Sequence, residues 1–332
     1  MPSLNADSAV AAGRSSVMGP TFDGILNIHK PIGWTSHDVV ARIRGLMKGP
    51  KVGHAGTLDP AATGVLPVLI GRATRIAEYL VDWDKEYAAV LRLGEATDTQ
   101  DATGTILTTC STEGVTESRV RAILDRFQGR LAQVPPMYSA VKIAGVPLYK
   151  AARAGRTVER QARHVTIHRL EMTSMAGRDV SLRVVCSKGT YVRTLCADIG
   201  QALGVGGHLL ALERRRVGPL MITHALTMES LAERWSNGGL AIELTSLDEA
   251  LHHLPAIVVD DPAAHRLIHG VAVPREAVHG EHGTLGVDLS EGKEGKSVRL
   301  KDQAGQLLAI GMMPEGSTQG AVAVVKVLVD VS

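Results

Sequence analysis

The chain has 332 residues, of which 45% are hydrophobic and 21% charged, and its formal net charge is +2. This composition excludes a wholly disordered chain and a fibrous repeat, and the length predicts one large domain with a smaller one attached. No run approaches the ~18 apolar residues of a membrane-spanning helix, and the three cysteines form neither a Cys-x-x-Cys pair nor a disulfide framework, so we expect a cytoplasmic protein without membrane association.

The N-terminal third begins with a segment that we expect to be disordered. Residues 1–22 are small and polar and contain a single arginine, which predicts a disordered leader. A strand is predicted at Ile25–Ile28. Thr35 or Ser36 then caps a predicted helix that ends at Gly49. The apolar residues of this helix share one face, and they are Val39, Val40, Ile43 and Leu46.

The remaining elements mix strands and helices without a fixed rhythm. The predicted strands are Val65–Ile70, Lys85–Leu93 and Val180–Cys186, and the predicted helices are Arg72–Leu80, Thr116–Phe127 and Tyr191–Leu203. The irregular order favours an α+β fold over a doubly wound parallel sheet. After about residue 255, short apolar runs are separated by Gly and Asp, a pattern that predicts a small C-terminal β-barrel.

The near-neutral net charge conceals an asymmetry. Residues 141–220 contain fourteen Lys and Arg against five Asp and Glu, a net charge of +9, whereas the rest of the chain carries −7. Such a division is typical of a protein with one surface for a polyanion, although solvated helices can also carry excess basic residues.

Motifs for cofactors fail when they are checked against their structural context. Gly295-Lys-Ser297 resembles the end of a phosphate-binding loop, but Ser290 stands where the first glycine is required. His279-Gly-Glu-His282 lacks the spacing of a helical zinc site. We therefore expect no nucleotide cofactor and no metal.

The loop Gly53–Gly64 is the segment most suited to chemistry. Its three internal and flanking glycines at 53, 56 and 64 permit tight turns and close approach of a ligand. Pro60 restricts the backbone of Asp59, so the Asp59 carboxylate is presented on a rigid loop. A carboxylate held in this way can act as nucleophile, general base or metal ligand, or it can simply cap the turn.

This loop and five other ordered blocks resemble the TruB family of tRNA pseudouridine synthases. The similar blocks are Lys30–Asp38, Gly53–Pro67, Asp84–Thr99, Pro136–Lys142, Ser187–Arg193 and Gly206–Arg214. The second block matches the family signature Gly-His-x-Gly-x-Leu-Asp-Pro-x-Ala-Thr-Gly-x-Leu-Pro almost letter for letter. Together the blocks extend over about residues 24–218, which makes the resemblance specific and favours a chemical role for Asp59.

The resemblance implies that the protein isomerises a uridine to pseudouridine at position 55, in the T arm of tRNA. The C1′–N1 bond breaks, the uracil turns, and a C1′–C5 bond forms, without a cofactor. The uridine has to be flipped out of the stacked arm to react. The resemblance also implies a catalytic domain over residues 23–250, a thumb-like RNA-contacting insertion at 135–163, and a PUA-like RNA-binding barrel at 255–332.

Within this family resemblance, Asp59 takes the place of the catalytic aspartate. It attacks either the ribose or the base, and the sequence leaves this choice open. Arg193 is expected to pair with Asp59 and to keep its carboxylate ionised and oriented. His54 is expected to fill the space left by the flipped base or to stack near it.

Four further residues are implied to bind the substrate. Tyr87 is expected to stack on the extruded uracil, Tyr191 to line the pocket, and Leu212 to form an apolar wall. Lys30 is expected to support the loop or to contact the ribose–phosphate. The sequence departs from the family at His29 and Glu213, beside these positions, which brings local RNA contacts into question.

The expected partner is tRNA, bound by a monomer that needs no protein partner. An RNA-binding protein or tRNA chaperone without catalysis is the alternative, and it would leave the joint presence of Asp59, Tyr87 and Arg193 unexplained. A synthase that depends on guide RNA and partner proteins would be expected to have more docking surface than a short C-terminal domain provides.

Overall fold

The computed structural model describes residues 22–139, 141–143, 145–156, 158–238, 243–274, 277–280, 297–313 and 321–330. The expected leader, apart from Phe22, lies outside these ranges. Strands and helices alternate irregularly and build two large sheets, which confirms the predicted α+β class. Within these ranges, no helix combines the length and apolarity needed to cross a bilayer.

The elements are named here in chain order. The strands are β1 (Gly24–Lys30), β2 (Val52–His54), β3 (Ala62–Ile70), β4 (Lys85–Leu93), β5 (Glu95–Thr97), β6 (Ile106–Thr109), β7 (Gly129–Gln133), β8 (Lys142–Ile143), β9 (Val146–Pro147), β10 (Arg163–Ala176), β11 (Asp179–Cys186), β12 (Gly207–Val217), β13 (Leu220–Met221), β14 (Ala256–Val259), β15 (Val278–Gly280), β16 (Ser297–Lys301), β17 (Leu307–Met312) and β18 (Ala323–Val327). The α-helices are α1 (Ser36–Met47), α2 (Ala77–Leu80), α3 (Glu117–Leu124), α4 (Leu148–Arg153), α5 (Val192–Ala202), α6 (Met228–Ser236), α7 (Leu247–Ala250) and α8 (Asp261–Ile268).

Helix α1 begins where the sequence predicts. Thr35 is the N-cap, its hydroxyl accepts from the Asp38 amide at 3.1 Å, and the Asp38 carboxylate accepts from the Thr35 amide at 2.8 Å. This reciprocal capping satisfies donors that the first turn of a helix leaves free. The helix ends at Met47, and its C-cap, Lys48, has a left-handed backbone (φ 48°). Its apolar face packs on β1 and β3, so both termini of α1 are fixed relative to the sheet.

The larger sheet has nine strands, and its main path runs β1-β3-β12-β4-β11-β10-β7. β12 is inserted between β3 and β4, parallel to β3 and antiparallel to β4. Residues on opposite faces of β1 and β3 are buried in separate core clusters, which accounts for the near-continuous apolar run at 65–70. The insertion of β12 brings the end of the block Gly206–Arg214 beside the start of β3.

A close backbone contact at Gly64 permits this arrangement. Gly64 has φ +103°, and a Cβ there would lie 2.2 Å from the Arg214 carbonyl oxygen. Only glycine fits, because any side chain would collide with backbone rather than with a movable group. β12 and β3 can therefore approach directly behind the loop that carries Asp59.

Two predicted helices differ from the structure in their details. The segment predicted as a helix at Arg72–Leu80 is a 3₁₀ helix, Gly71–Ile76, followed by α2. The side chain and amide of Arg72 both bind the Asp23 carboxylate, and this local anchoring favours the tighter turn. The helix predicted to reach Phe127 ends as α-helix at Leu124 and continues as a 3₁₀ turn.

The C-terminal region forms a five-stranded sheet in the order β15-β14-β16-β17-β18. This sheet is the small C-terminal β unit that the sequence predicts. Among the described residues β15 and β18 are not paired with each other, so the sheet does not close into a barrel there; residues 281–296 and 314–320 lie outside the described ranges. The sheet packs against the preceding region. Asp248 binds Arg299 at 2.8 Å and Lys301 at 2.9 Å, and Lys326 binds Glu78 at 2.8 Å.

Candidate functional site

The loop between β2 and β3 presents Asp59 and is held by hydrogen bonds from the first residue of α1 and from the turn that precedes this helix. The Ser36 hydroxyl accepts from the Leu58 amide at 2.9 Å and lies 3.2 Å from the Leu58 carbonyl, to which it donates. The Gly33 amide donates to the Pro60 carbonyl at 2.8 Å. Both residues that flank Asp59 are therefore fixed, as the Asp-Pro sequence predicts.

A buried guanidinium supports the same loop from below. Arg214 on β12 is 1% exposed, and its Nε donates to the Val65 carbonyl at 2.7 Å and its Nη2 to the Gly56 carbonyl at 2.9 Å. Nη1 lies 3.4 Å from the Thr57 carbonyl. Burial lowers the pKa of Arg214, and the Tyr87 hydroxyl opposes this effect. One side chain thus joins the first part of the loop to β3 and to β12.

Arg193 connects Asp59 to a second carboxylate. Its Nη2 lies 2.8 Å from Asp59 Oδ2, the ion pair predicted from the sequence, and its Nη1 lies 3.6 Å from Asp101 Oδ2. Nη2 also donates to the Tyr138 carbonyl at 2.8 Å. Because the guanidinium is planar and contacts acceptors on two sides, its orientation toward Asp59 is restricted.

Asp101 is a site residue that the sequence analysis does not single out. Its Oδ1 accepts from the Thr103 amide at 3.0 Å and from the hydroxyls of Thr99 and Thr103 at 2.7 and 2.6 Å. Its other oxygen faces Arg193. The available signal was an aspartate enclosed by threonines, which is typical of a carboxylate held by local hydrogen bonds.

The environment of Asp59 combines accessibility with desolvation. The Asp59 side chain is 47% exposed and that of Arg193 only 7%. Desolvation by the surrounding protein raises the pKa of Asp59, the Arg193 charge opposes this, the charge of Asp101 reinforces it, and Lys30 opposes it more weakly. Asp59 is therefore both accessible and partly desolvated, a combination that is typical of reactive carboxylates at functional sites.

Lys30 lies under the loop, fully buried. Its Nζ donates to the carbonyls of Trp34 at 2.7 Å and Pro31 at 2.9 Å, and lies 3.5 Å from that of Pro60. Burial is the main cause that lowers the pKa of Lys30 to about 8, and the Asp59 carboxylate opposes the shift. Contact with the ribose–phosphate, one of the two roles expected from sequence, would require this amine to leave its carbonyl partners. The geometry fits support of the loop.

Tyr87 and His54 lie on different strands of the sheet. Tyr87 is 8% exposed on β4, where its backbone pairs with Val184 on one side and Arg214 on the other, and burial raises its pKa. His54 ends β2, and its Nδ1 is buried without a hydrogen-bond partner in the described part of the chain. Desolvation, and secondly the neighbouring His37, lower the pKa of His54, so its ring is predominantly neutral at pH 7.

The other two predicted pocket residues, Leu212 and Tyr191, lie on β12 and at the start of α5. Leu212 lies opposite Ala62 in the parallel pairing of β12 with β3, and it packs against the core cluster that contains Leu58 and Tyr87. Tyr191 is half-buried at the N-cap of α5. The backbone of Tyr191 is fixed on both sides by the Gln133 side-chain amide, at 2.8 and 3.1 Å. Gln133 is a further contact that the sequence did not indicate.

Within the described ranges, no group of three or more His, Cys, Asp or Glu side chains is arranged to hold a metal ion. The rejected zinc motif at 279–282 lies partly outside those ranges.

Two family models match consecutive parts of the chain. Residues 44–192 match the model of the TruB family pseudouridylate synthase N-terminal domain, and residues 193–258 match that of the tRNA pseudouridylate synthase B C-terminal domain. The protein called tRNA pseudouridine synthase B of Burkholderia mallei (strain NCTC 10247) is 44% identical over 295 residues, which cover 89% of this chain and 94% of the relative. A protein of the same name from Pseudomonas putida (strain ATCC 700007) is 45% identical over 257 residues, 76% of this chain and 83% of the relative.

Solved structures resemble the chain over nearly its whole length. A chain in the crystal structure of a Cbf5-Nop10-Gar1 complex superposes with a TM-score of 0.72 at 30% identity, covering 93% of this chain and 86% of that one. A chain in the structure of an H/ACA RNP bound to a substrate RNA containing 2′-deoxyuridine gives a TM-score of 0.70 at 27% identity, covering 96% and 93%.

Proposed function

The chain belongs to the TruB family of pseudouridine synthases and is a tRNA pseudouridine synthase, and from this premise we propose that it isomerises uridine 55 in the T arm with Asp59 as the nucleophile. The observation that carries the proposal is the 2.8 Å ion pair between the accessible Asp59 and the buried Arg193. The loop that presents Asp59 is also held by hydrogen bonds from Ser36 and Arg214. A turn-capping aspartate would need neither partner nor cleft.

The reaction rearranges one nucleotide without adding or removing atoms. The C1′–N1 bond breaks, the uracil turns, C1′ bonds to C5, the proton on C5 leaves, and N1 gains a proton. Attack by Asp59, whether on the ribose or on the base, requires the ionised carboxylate. Arg193 therefore has two effects, since its charge opposes the raised pKa of Asp59 and its donors orient the attacking oxygen.

The residues around Asp59 have different proposed roles in binding the flipped uracil. Tyr87 and Leu212 provide an apolar wall beside Asp59, and Tyr191 lies at the start of the helix that carries Arg193. A flipped base leaves a gap in the RNA stack, and the neutral ring of His54, next to the loop, suits that position. Lys30 and Arg214 hold the loop from within the protein.

The chain is also proposed to divide as its sequence predicts, into a catalytic unit at 23–250 with an RNA-contacting thumb at 135–163, and a PUA-like unit at 255–332. In the thumb, Lys150 and Arg156 are exposed, and the Arg160 guanidinium donates to the Pro135 carbonyl at 3.1 Å, which closes the base of the excursion. Exposed cations at this place favour contacts to phosphates.

Stand-alone action is favoured over action within a larger complex. The bacterial relatives named tRNA pseudouridine synthase B are 44–45% identical to this chain, against 30% for the chain in the Cbf5-Nop10-Gar1 complex. We propose that the protein acts in the cytoplasm as a monomer on its tRNA substrate and needs no protein partner.

Tritium release tests the proposal directly. An unmodified tRNA transcript labelled at C5 of its uridines is incubated with the wild-type chain and with Asp59→Asn, because loss of the C5 proton accompanies every turnover. We expect release by the wild type alone, with equal tRNA binding by both chains and the modified base mapped to position 55. Binding without release from either chain would support an RNA chaperone without catalysis. Normal release by Asp59→Asn would exclude Asp59 as the nucleophile.

A further inference from the structure

One flank of α1 carries exposed residues that its own fold does not explain. His37, Ala41, Arg44 and Lys48 follow the spacing i, i+4, i+7, i+11, so they form a straight line along the helix, and all four are exposed. By the helical rise of about 1.5 Å per residue, the line is roughly 16 Å long. We name these four residues, with the adjacent Gly45, the α1 stripe.

The α1 stripe begins beside the loop that carries Asp59. The His37 and His54 rings lie 5.9 Å apart in an edge-to-face arrangement, and His54 directly precedes the loop that carries Asp59. The neighbouring Ser36 holds Leu58 by two hydrogen bonds. From this point the helix leads away from the cleft, so a ligand seated at Asp59 can continue along the stripe.

The charges of the stripe have no partner in the part of the chain that the structure describes. Arg44 and Lys48 form no ion pair there, in contrast to Arg72 and Arg75 on the nearby 3₁₀ helix, which bind Asp23 and the Val327 carbonyl. Unpaired cations on a regular line are complementary to a regular line of anions, which a nucleic-acid backbone provides.

Two residues of the stripe are poorly suited to the helix itself. Gly45 lies in the last turn, with open space where its Cβ would be, although glycine costs a helix up to about 1 kcal/mol relative to alanine. Lys48 adopts the left-handed conformation that usually favours glycine at a helix end. The stability of the helix alone would favour a larger residue in place of Gly45 and a glycine in place of Lys48. The residues present therefore indicate a function other than stabilising the helix.

From these observations, and resting on the function proposed above, we propose that the α1 stripe is a docking surface for the phosphate backbone of the tRNA substrate, beyond the nucleotide that reacts. Arg44 and Lys48 contact phosphates, and the small surface of Ala41 and Gly45 lets the backbone approach the helix closely. This surface is separate in sequence from the proposed thumb, so the two would hold the RNA through different elements.

Equilibrium binding of an unmodified tRNA transcript at several salt concentrations tests the proposal, using full chains that carry Asp59→Asn so that no turnover occurs. Arg44→Gln and Lys48→Gln are each expected to weaken binding about three- to tenfold near 0.1 M salt and to reduce the slope of log K against log salt by roughly 0.7–0.9. The matched control is Arg42→Gln, since Arg42 is exposed and unpaired on the same helix but outside the stripe; it is expected to change affinity less than about twofold.

Two further variants separate a binding role from a folding role. Lys48→Gly and Gly45→Gln suit the helix at least as well as the native residues, so we expect unchanged or higher Tm together with weaker tRNA binding. The proposal would be overturned if the stripe variants bound tRNA as tightly as the Asp59→Asn chain does. It would also be overturned if Arg42→Gln weakened tRNA binding as much as the stripe variants do. Tritium release by the otherwise wild-type chain is measured in parallel; its absence would refute the proposed function, independently of the stripe.

Discussion

Arg193 and Asp59 form an ion pair whose two members differ sharply in exposure, at 7% for the arginine side chain and 47% for the aspartate. The cation is part of the protein interior, whereas the anion faces the cleft. Substrate can therefore reach the carboxylate without displacing the arginine. The ion pair orients the reactive group and leaves one side of it open.

The pH dependence of activity is expected to depend on this pair. Desolvation raises the pKa of Asp59 and Arg193 opposes the rise, so the ionised, reactive form is lost as pH falls through a value above the ordinary one for aspartate. In Arg193→Gln the opposing charge is absent, and we expect the acid limb of kcat/KM to move to higher pH and kcat to fall at least about 100-fold. An unmoved acid limb would contradict this electrostatic role. Arg193→Lys keeps the positive charge, so we expect the acid limb to stay close to its wild-type pH even though kcat falls.

Asp101 is expected to act as a positioning residue for Arg193. In Asp101→Asn the guanidinium keeps Asp59 and Tyr138 but loses the anion at 3.6 Å, so its orientation is less restricted. We expect kcat to decrease roughly 10–100-fold with little change in KM, because the Asp101 side chain is only 13% exposed and is held by local hydrogen bonds. Pre-steady-state tritium release with saturating enzyme measures the effect. A change confined to KM would indicate an RNA contact instead.

Loss of Arg214 is expected to reduce stability and activity together. Arg214→Lys retains a charge, but a single amine cannot reach the Val65 and Gly56 carbonyls at once, so at least one buried acceptor loses its donor. The expected destabilisation is about 1–3 kcal/mol, measured by urea denaturation. Arg215→Lys, an exposed change next to it in the chain, is the control and should change stability by less than about 0.5 kcal/mol.

Lys30 is expected to contribute a pH-dependent term to stability. The native amine has a pKa of about 8, whereas an unfolded lysine retains its proton up to its ordinary value of 10.5. Between these values the unfolded state binds more protons, so the free energy of unfolding of the wild type rises with pH. Lys30→Met lacks this term, and the stability of the wild type relative to the variant should increase from pH 8 to 10.5, by at most about 1.4 kcal/mol per pH unit. A constant difference over this range would show that Lys30 does not titrate there.

Local patterns were sufficient for much of the fold. The strand predicted at Lys85–Leu93 is β4 without change, because its alternation of apolar residues matches one buried face. The cap and apolar spacing of α1 likewise located that helix. The C-terminal strands were predicted from short apolar runs, but such runs carry no information about which edges pair, and within the described residues the five-stranded sheet does not close into a barrel.

The site was predictable only where residues act alone or the family resemblance supplied a partner. Asp59 stands out because its own neighbours hold it. Arg214 does not, because its support of Val65 joins residues 149 positions apart, and a run of arginines in a strand resembles a solvated surface. Gln133 holds Tyr191 across 58 positions and has no local signature either. Such contacts follow from strand order, which the sequence analysis did not predict.

The central place of β12 has a consequence for how the enzyme matures during its synthesis. β3 and β4 are made well before β12, yet in the finished sheet they are separated by it and do not pair with each other along the main path. A growing chain that ends before residue 207 therefore has its sheet in two halves and lacks the arginine beneath the Asp59 loop. We therefore expect the chain to become competent for catalysis only late in translation, when β12 enters the gap between β3 and β4.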